Sequence, residues 1–193
     1  MTAVAQADSR GPERTRQRLI DEACRLFAMH SFAGTSLQMI ADNLGVTKAA
    51  IYHHFKTRDD ILTAVIQPAI EELRGIITTA QAQRTPAGRA DAMLSGLVDL
   101  TVKHRALIAM IGTDPGVTSA LESHPDIVDL FRRPAELMTL DDTPAAEINA
   151  VAALAGIATT ASSPILQHHE SSVLRECLIA VGRRILGIRG RRA

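Results

Sequence analysis

The chain has 193 residues, of which 46% are hydrophobic and 22% charged, and its 21 Lys and Arg are balanced by 21 Asp and Glu. That composition fits a folded globular protein and excludes a disordered, collagen-like or disulfide-dense one. No apolar run approaches the roughly 18 residues of a membrane span. The first residues, M-T-A-V-A-Q-A-D-S-R, lack a basic segment followed by a long apolar one, so the protein is expected in the cytoplasm with no membrane partner.

Met1 to about Gly11 is small and polar and reads as a mobile arm. Arg10, Arg14, Arg16 and Arg18 follow as candidate anion contacts, though the polar face of a solvated helix would carry the same arginines. A first helix is predicted from about Thr15 to Met29, with Leu19, Ile20, Ala23, Leu26 and Phe27 on one side. Next, Leu37, Ile40, Ala41 and Leu44 stand at i, i+3, i+4 and i+7, with Ser36 as N-cap, which predicts a short helix from Leu37 to Leu44. Gly45 can take the left-handed conformation that ends it, and Thr47 can cap another. Ala41 is small where two crossing helices would touch. Val46, Ile51 and Phe55 give the second helix an inward face and leave Lys48, Ala49, Tyr52 and His53 outward.

Thr57 then caps a long helix with Asp59 and Asp60 in its first turn, where the helix dipole favours negative charge. It carries Ile61, Leu62, Val65, Ala69, Ile70, Leu73, Ile76 and Ile77, and Pro68 inside that pattern predicts a kink near residues 64–68. Further helical stretches are predicted at about 90–104, 106–111, 117–121, 127–140 with a break at Pro134, 144–162 and 171–186. The basic tail R-G-R-R-A is expected to fray. No alternating strand pattern exists, so the fold class is all-α, about nine helices. A boundary at 58/59 would separate a three-helix helix-turn-helix domain from a larger helical one. Cys24 and Cys177 read as small buried hydrophobes, and His168, His169 and Glu170 as an exposed loop whose histidines point apart, so neither metal nor cofactor is expected.

Helix, tight turn, helix is also the geometry of a plain helical hairpin, but the outward residues have the chemistry of DNA contacts. Thr47 can hold a phosphate at the helix start, Lys48 can reach phosphate or a guanine edge, Ala49 permits close approach, and Tyr52 can donate to phosphate or pack on a thymine methyl. His53 and His54 can donate to backbone oxygens, although His54 equally suits a buried, hydrogen-bonded imidazole. Lys56 and Arg58 flank the helix near the expected DNA backbone. Residues 1–58 hold eight Lys or Arg against five Asp or Glu, a local charge of +3 inside a neutral chain. From Thr15 to Ile66, and above all in L-F-A-M-H-S-F-A-G-T-S-L-Q-M-I-A-D-N-L-G-V-T-K-A-A-I-Y-H-H-F-K-T-R-D-D-I-L, the chain resembles the amino-terminal domain of the TetR family of bacterial transcriptional regulators. Two positions depart from the family pattern: Ser31 and Ala49 stand where glycine is common. The resemblance implies further DNA contacts from Leu37 and Gln38.

It also implies a ligand cavity among the central helices and a two-fold dimer formed by a four-helix bundle. Four of the five aromatic residues (Phe27, Phe32, Tyr52, Phe55) lie in the first 55 residues, leaving only Phe131 beyond, so the effector is expected to be aliphatic or mixed rather than a stacked flat ring. Met93, Leu97, His104, Met110, Phe131 and Asn149 are its candidate lining. For the dimer, Ala152, Gly156 and Thr160 recur every four residues, and Leu174, Leu178, Val181 and Ile185 add an apolar stripe. An intramolecular hairpin would use the same residues. The resulting expectation is a homodimeric, ligand-responsive repressor of a palindromic operator. A DNA-guided enzyme such as a recombinase or nuclease, or a helical adaptor protein, is the alternative.

Overall fold

The computed structural model describes residues 10–188, so most of the amino-terminal arm, the Arg10 side chain and the basic tail lie outside the described residues. Ten α-helices and one short 3-10 turn, with no strand, make up the described chain. They are α1 (Arg10–Gly34), α2 (Leu37–Leu44), α3 (Lys48–His54), α4 (Arg58–Gln81), α5 (Pro86–Lys103), α6 (Arg105–Thr113), α7 (Pro115–Glu122), α8 (Pro125–Met138), α9 (Pro144–Ala161) and α10 (Ser171–Leu186), with the 3-10 turn at Pro164–Leu166. By its internal contacts the chain divides into two compact units, Met1–Ile66 and Gln67–Ala193. The division falls inside α4, after the buried Ile61, Leu62, Val65 and Ile66, whereas the sequence boundary of 58/59 precedes them.

In the first unit, the caps lie where the local chemistry predicts. The Ser36 hydroxyl accepts from Met39 N at 3.1 Å, and Gly45 closes α2 at φ 66° with its N–H on the Ala41 and Asp42 carbonyls. Thr57 Oγ1 accepts from Asp60 N at 3.0 Å while Asp60 Oδ2 accepts from Thr57 N at 2.9 Å, a reciprocal cap that starts α4. Leu19, Ala23, Leu26, Phe27, Ile40, Ala41, Ile51 and Phe55 are buried, and Phe27 meets Phe32 edge-on with ring centroids 5.2 Å apart. The first helix extends beyond 15–29 in both directions. At its start Pro12 falls in the first turn, where its missing N–H costs nothing. Near its end the backbone kinks at Ser31 (φ 65°, ψ 163°), in a region essentially reserved for glycine. Thr35, almost completely buried, spans that kink by directing its Oγ1 at the carbonyls of Ser31 (2.8 Å) and Leu26 (3.2 Å).

In the second unit, α5 is the central element, packed against α8, α9 and α10. Met93, Leu94, Leu97 and Val98 of α5 share a core with Met138, Ala153, Ile157, Leu174 and Leu178. Gly182 lets α10 approach closely, since a Cβ there would run into the Leu94 side chain. Two bidentate ion pairs set the antiparallel register of α5 and α10: Arg183 grips Asp91 at 2.6 and 3.0 Å, and Arg175 grips Asp99 at 2.5 and 3.2 Å. One proline expectation changes: the predicted break at Pro134 is absent, because α8 runs through it to Met138. Pro68 lies inside a continuous α4. A proline inside a helix removes one backbone hydrogen bond, a loss that α8 survives. Glu72 of α4 reaches the α5–α6 junction, its carboxylate 2.8 Å from Lys103 Nζ and 3.0 Å from His104 Nε2.

Replacing Ser31 by glycine should therefore stabilise the protein by about 1 kcal/mol, the backbone strain relieved outweighing the exposed hydrogen bond from Gly34 N to Ser31 Oγ. Urea unfolding of Ser31→Gly measures this, and an unchanged or lowered midpoint would contradict the strain assignment. A second outcome concerns pH. The Lys103 ammonium, and then the His104 ring, hold the Glu72 carboxyl below its ordinary value, so this contact contributes stability above the usual carboxylate range and loses it as pH falls through the lowered value. Glu72→Gln should remove up to about 1 kcal/mol near neutrality and flatten the acid limb of a stability-against-pH curve.

Candidate nucleic-acid interface

The geometry of α3 follows from its ends and its buried side. Thr47 is the N-cap, its Oγ1 accepting from Ala50 N at 3.2 Å, which leaves the hydroxyl hydrogen and the first N–H groups of α3 directed outward. Ile51 is fully buried, while Lys48, Ala49, Tyr52 and His53 share the exposed opposite face, Tyr52 with 49% of its surface open. Lys48 Nζ lies 5.8 Å from the centroid of the Tyr52 ring, so the cation rests over an aromatic face. His53 and the half-buried His54 form an edge-on pair 5.2 Å apart at the helix end. Gln38 is exposed on α2 and donates to Asp42 Oδ1 at 2.7 Å, and Leu37 is half-buried beside it.

Arg58 occupies a different place from the one its charge predicts. Its Nη1 donates to the carbonyls of Thr35 (2.9 Å) and Ala33 (3.2 Å), and its guanidinium carbon lies 4.2 Å from the centre of the Phe32 ring. It ties the turn before α2 to the start of α4 instead of facing outward. Thr35 and Arg58 thus form a brace that sequence spacing did not reveal, because each partner is brought to the other only by folding.

The family model described as bacterial regulatory proteins, tetR family, matches residues 19–65, the span that carries the α2–turn–α3 unit. Over that span the chain is similar to the TetR family. Within that TetR segment it is 39% identical over 62 residues to the HTH-type transcriptional regulator AcrR of Shigella flexneri, covering 32% of this chain and 29% of the relative. It is 29% identical over 75 residues to the HTH-type transcriptional repressor KstR2 of Rhodococcus jostii, covering 39% and 37%. The matched segment thus spans about a third of each curated relative. A TetR-like transcriptional regulator from Rhodococcus sp. RHA1 superposes on 96% of this chain and 99% of its own with a TM-score of 0.67 at 20% identity, a likeness of fold.

Of the residues expected to line a TetR-type effector cavity, Met93, Leu97 and Met110 are buried in packed helices, His104 is engaged with Glu72, and Asn149 is exposed. Phe131 does line an open cleft of about 670 Å³ between α8 and α9, together with Arg132, Glu136, Asp142, Glu147 and Val151. The dimer candidates converge better. Gly156, Thr160, Leu174, Leu178, Val181 and Ile185 all line one groove of about 320 Å³ between α9 and α10, while Ala152 lies exposed on α9. Cys177 corrects an expectation, for it is exposed on the outer side of α10 and lines the same groove; Cys24 is half-buried. The histidine expectation changes too: the rings of His168 and His169 lie 4.0 Å apart, tilted by 40°, instead of diverging. No group of three metal-ligating side chains occurs among the described residues.

If Arg58 is a brace, Arg58→Ala should destabilise the protein by about 2 kcal/mol, and Arg58→Lys should restore little of it, because a single ammonium cannot serve two carbonyls and a ring face together. Unfolding curves beside DNA titrations at several salt concentrations check this. The salt slope should stay at its wild-type value, whereas a slope reduced by about one per protomer would place Arg58 on a phosphate.

Proposed function

We propose that this chain is a DNA-binding transcriptional regulator, a repressor that binds a palindromic operator as a homodimer and is released by a small effector. The observation that carries the reading is the exposed face of α3, where Lys48, Ala49, Tyr52 and His53 stand together over a buried Ile51 within a TetR-family segment. A seven-residue helix with that face fits the major groove, and Thr47, Lys48, Tyr52, His53 and His54 divide between phosphate and base-edge contacts, with Leu37 and Gln38 beside them. The relatives are named as regulators and repressors, which favours this reading over the DNA-guided enzyme.

Dimerisation is supported by α9. Between Pro144 and Ala161 its only charged residue is Glu147, and Ile148 and Val151 are 66% and 51% exposed in the single chain. A helix apolar on every side is ordinarily covered on every side. With Val173 and Val181 of α10 also exposed, a two-fold copy of the chain is the simplest cover. Two recognition helices would then enter successive major grooves roughly 34–36 Å apart. No described helix is long and apolar enough to cross a membrane, and the proposed site of action is the cytoplasm, where the operator is. An effector binding the released form more tightly would shift the equilibrium by its difference in affinity, and an aliphatic or mixed molecule suits a second unit whose one aromatic is Phe131.

Capture of genomic fragments by the purified protein should return an inverted repeat. Tyr52→Ala should weaken binding to it by about tenfold or more, and Lys48→Ala should lower the salt slope by about two for a dimer with one phosphate contact per protomer. Binding without any sequence preference, unchanged in both variants, would leave this face without a role.

A further inference from the structure

Along α10 the residues around Cys177 repeat symmetrically: Val173 and Val181 stand four residues to either side of it, and Glu170, the N-cap, and Arg184 stand seven. At 3.6 residues per turn all four fall within about 40° of Cys177 around the helix axis, so the five form one narrow seam. Every one of them is exposed, Val173 by 48% and Val181 by 40%. The opposite side of α10 is already covered by α5, where Arg175 and Arg183 hold Asp99 and Asp91 and Gly182 lies against Leu94. Neither Glu170 nor Arg184 has a side-chain hydrogen bond or ion pair among the described residues. The seam is thus three small apolar side chains in line, closed by an unpaired anion at one end and an unpaired cation at the other.

We propose that α10 packs antiparallel on α10 of a second copy of the chain, with the two-fold axis passing at Cys177. A two-fold contact is self-complementary, so a residue i that faces j must find j facing i. An axis at Cys177 meets that condition along the whole seam: Val173 faces the partner's Val181, the two Cys177 side chains meet, and Glu170 faces the partner's Arg184 at both ends. Charge chooses the direction. A parallel copy would set Glu170 against Glu170 and Arg184 against Arg184, like charge on like. Helix length chooses the register, because an axis one turn away, at Val173 or Val181, would carry Arg184 or Glu170 past the end of the partner's α10. Val173, Cys177 and Val181 also line the groove of about 320 Å³ between α9 and α10, so the contact is continuous with the apolar surface of the proposed dimer. The inference rests on that dimeric reading and fixes its axis and its pairing.

The test is cross-linking of the full chain by a short bis-maleimide, which joins two thiols only where they lie close together, beside sedimentation of the untreated protein. The wild type should sediment as a dimer and be converted to a covalent dimer. Cys24→Ser should be converted as fully, and Cys177→Ser not at all. Arg184→Glu should raise the dissociation constant of the dimer by about tenfold, since it opposes two carboxylates at each end of the seam, and adding Glu170→Arg to it should restore the wild-type value. A dimer whose Cys177 thiols are not joined, or one that the double exchange fails to restore, overturns the inference and leaves the dimeric reading in place. A chain that sediments as a monomer overturns both. None of these measurements uses DNA, so the reading of α3 stands or falls apart from them.

Discussion

Seven residues do not hold a helix in water on their own. The helix α3 therefore depends on the burial of Ile51, and of Phe55 at its C-cap, in the amino-terminal core. Everything nearby serves that seat. Ala41 is small enough for α2 to lie close, Gly45 turns the chain without a Cβ penalty, and the Arg58–Thr35 brace fixes the segment by which the chain enters α2. The proposed DNA contact requires side chains held within a fraction of an ångström, and core packing on one side would supply that precision to a helix too short to possess it.

What could be read from the amino acids divides along the range of the interactions. Helix ends were legible because caps are local: Ser36, Thr47 and Thr57 each act within three residues of themselves. The outward face of α3 was legible because its register follows from period and turn. The α5–α10 ion pairs were not, since Arg183 and Asp91 lie 92 residues apart in sequence and either could equally have been a solvated surface charge. The same limit explains the effector candidates. Met93 and Leu97 have the right chemistry to line a cavity, and whether such a side chain meets a void or another methyl group is decided by helices it cannot announce. Pro134 shows the converse, because a strong local signal did not break α8.

The exposed apolar residues obey a similar logic. Single exposed hydrophobics are ordinary on a protein surface, but Ile148, Val151, Val173 and Val181 come from two packed helices, and their exposure continues into the groove that Gly156 and Leu178 line. The small residues of α9 do two tasks at once. Ala153 faces the intramolecular core, while Ala152 and Gly156 leave the other side flat enough for a second backbone to approach.

Pairing separates structural cations from those available to a ligand. Arg25, Lys103, Arg133, Arg175 and Arg183 each face a carboxylate of the chain, Arg25 and Arg133 within their own helices and the other three between helices. Lys48 instead lies over the Tyr52 ring, an interaction that orients the ammonium without neutralising it, so the field of α3 survives folding in a protein whose net charge is zero. Water solvates an exposed cation that has no partner. One criterion, the counter-charge a cation has or lacks in its surroundings, thus agrees with the proposed reading of the α3 face as the one that meets a polyanion.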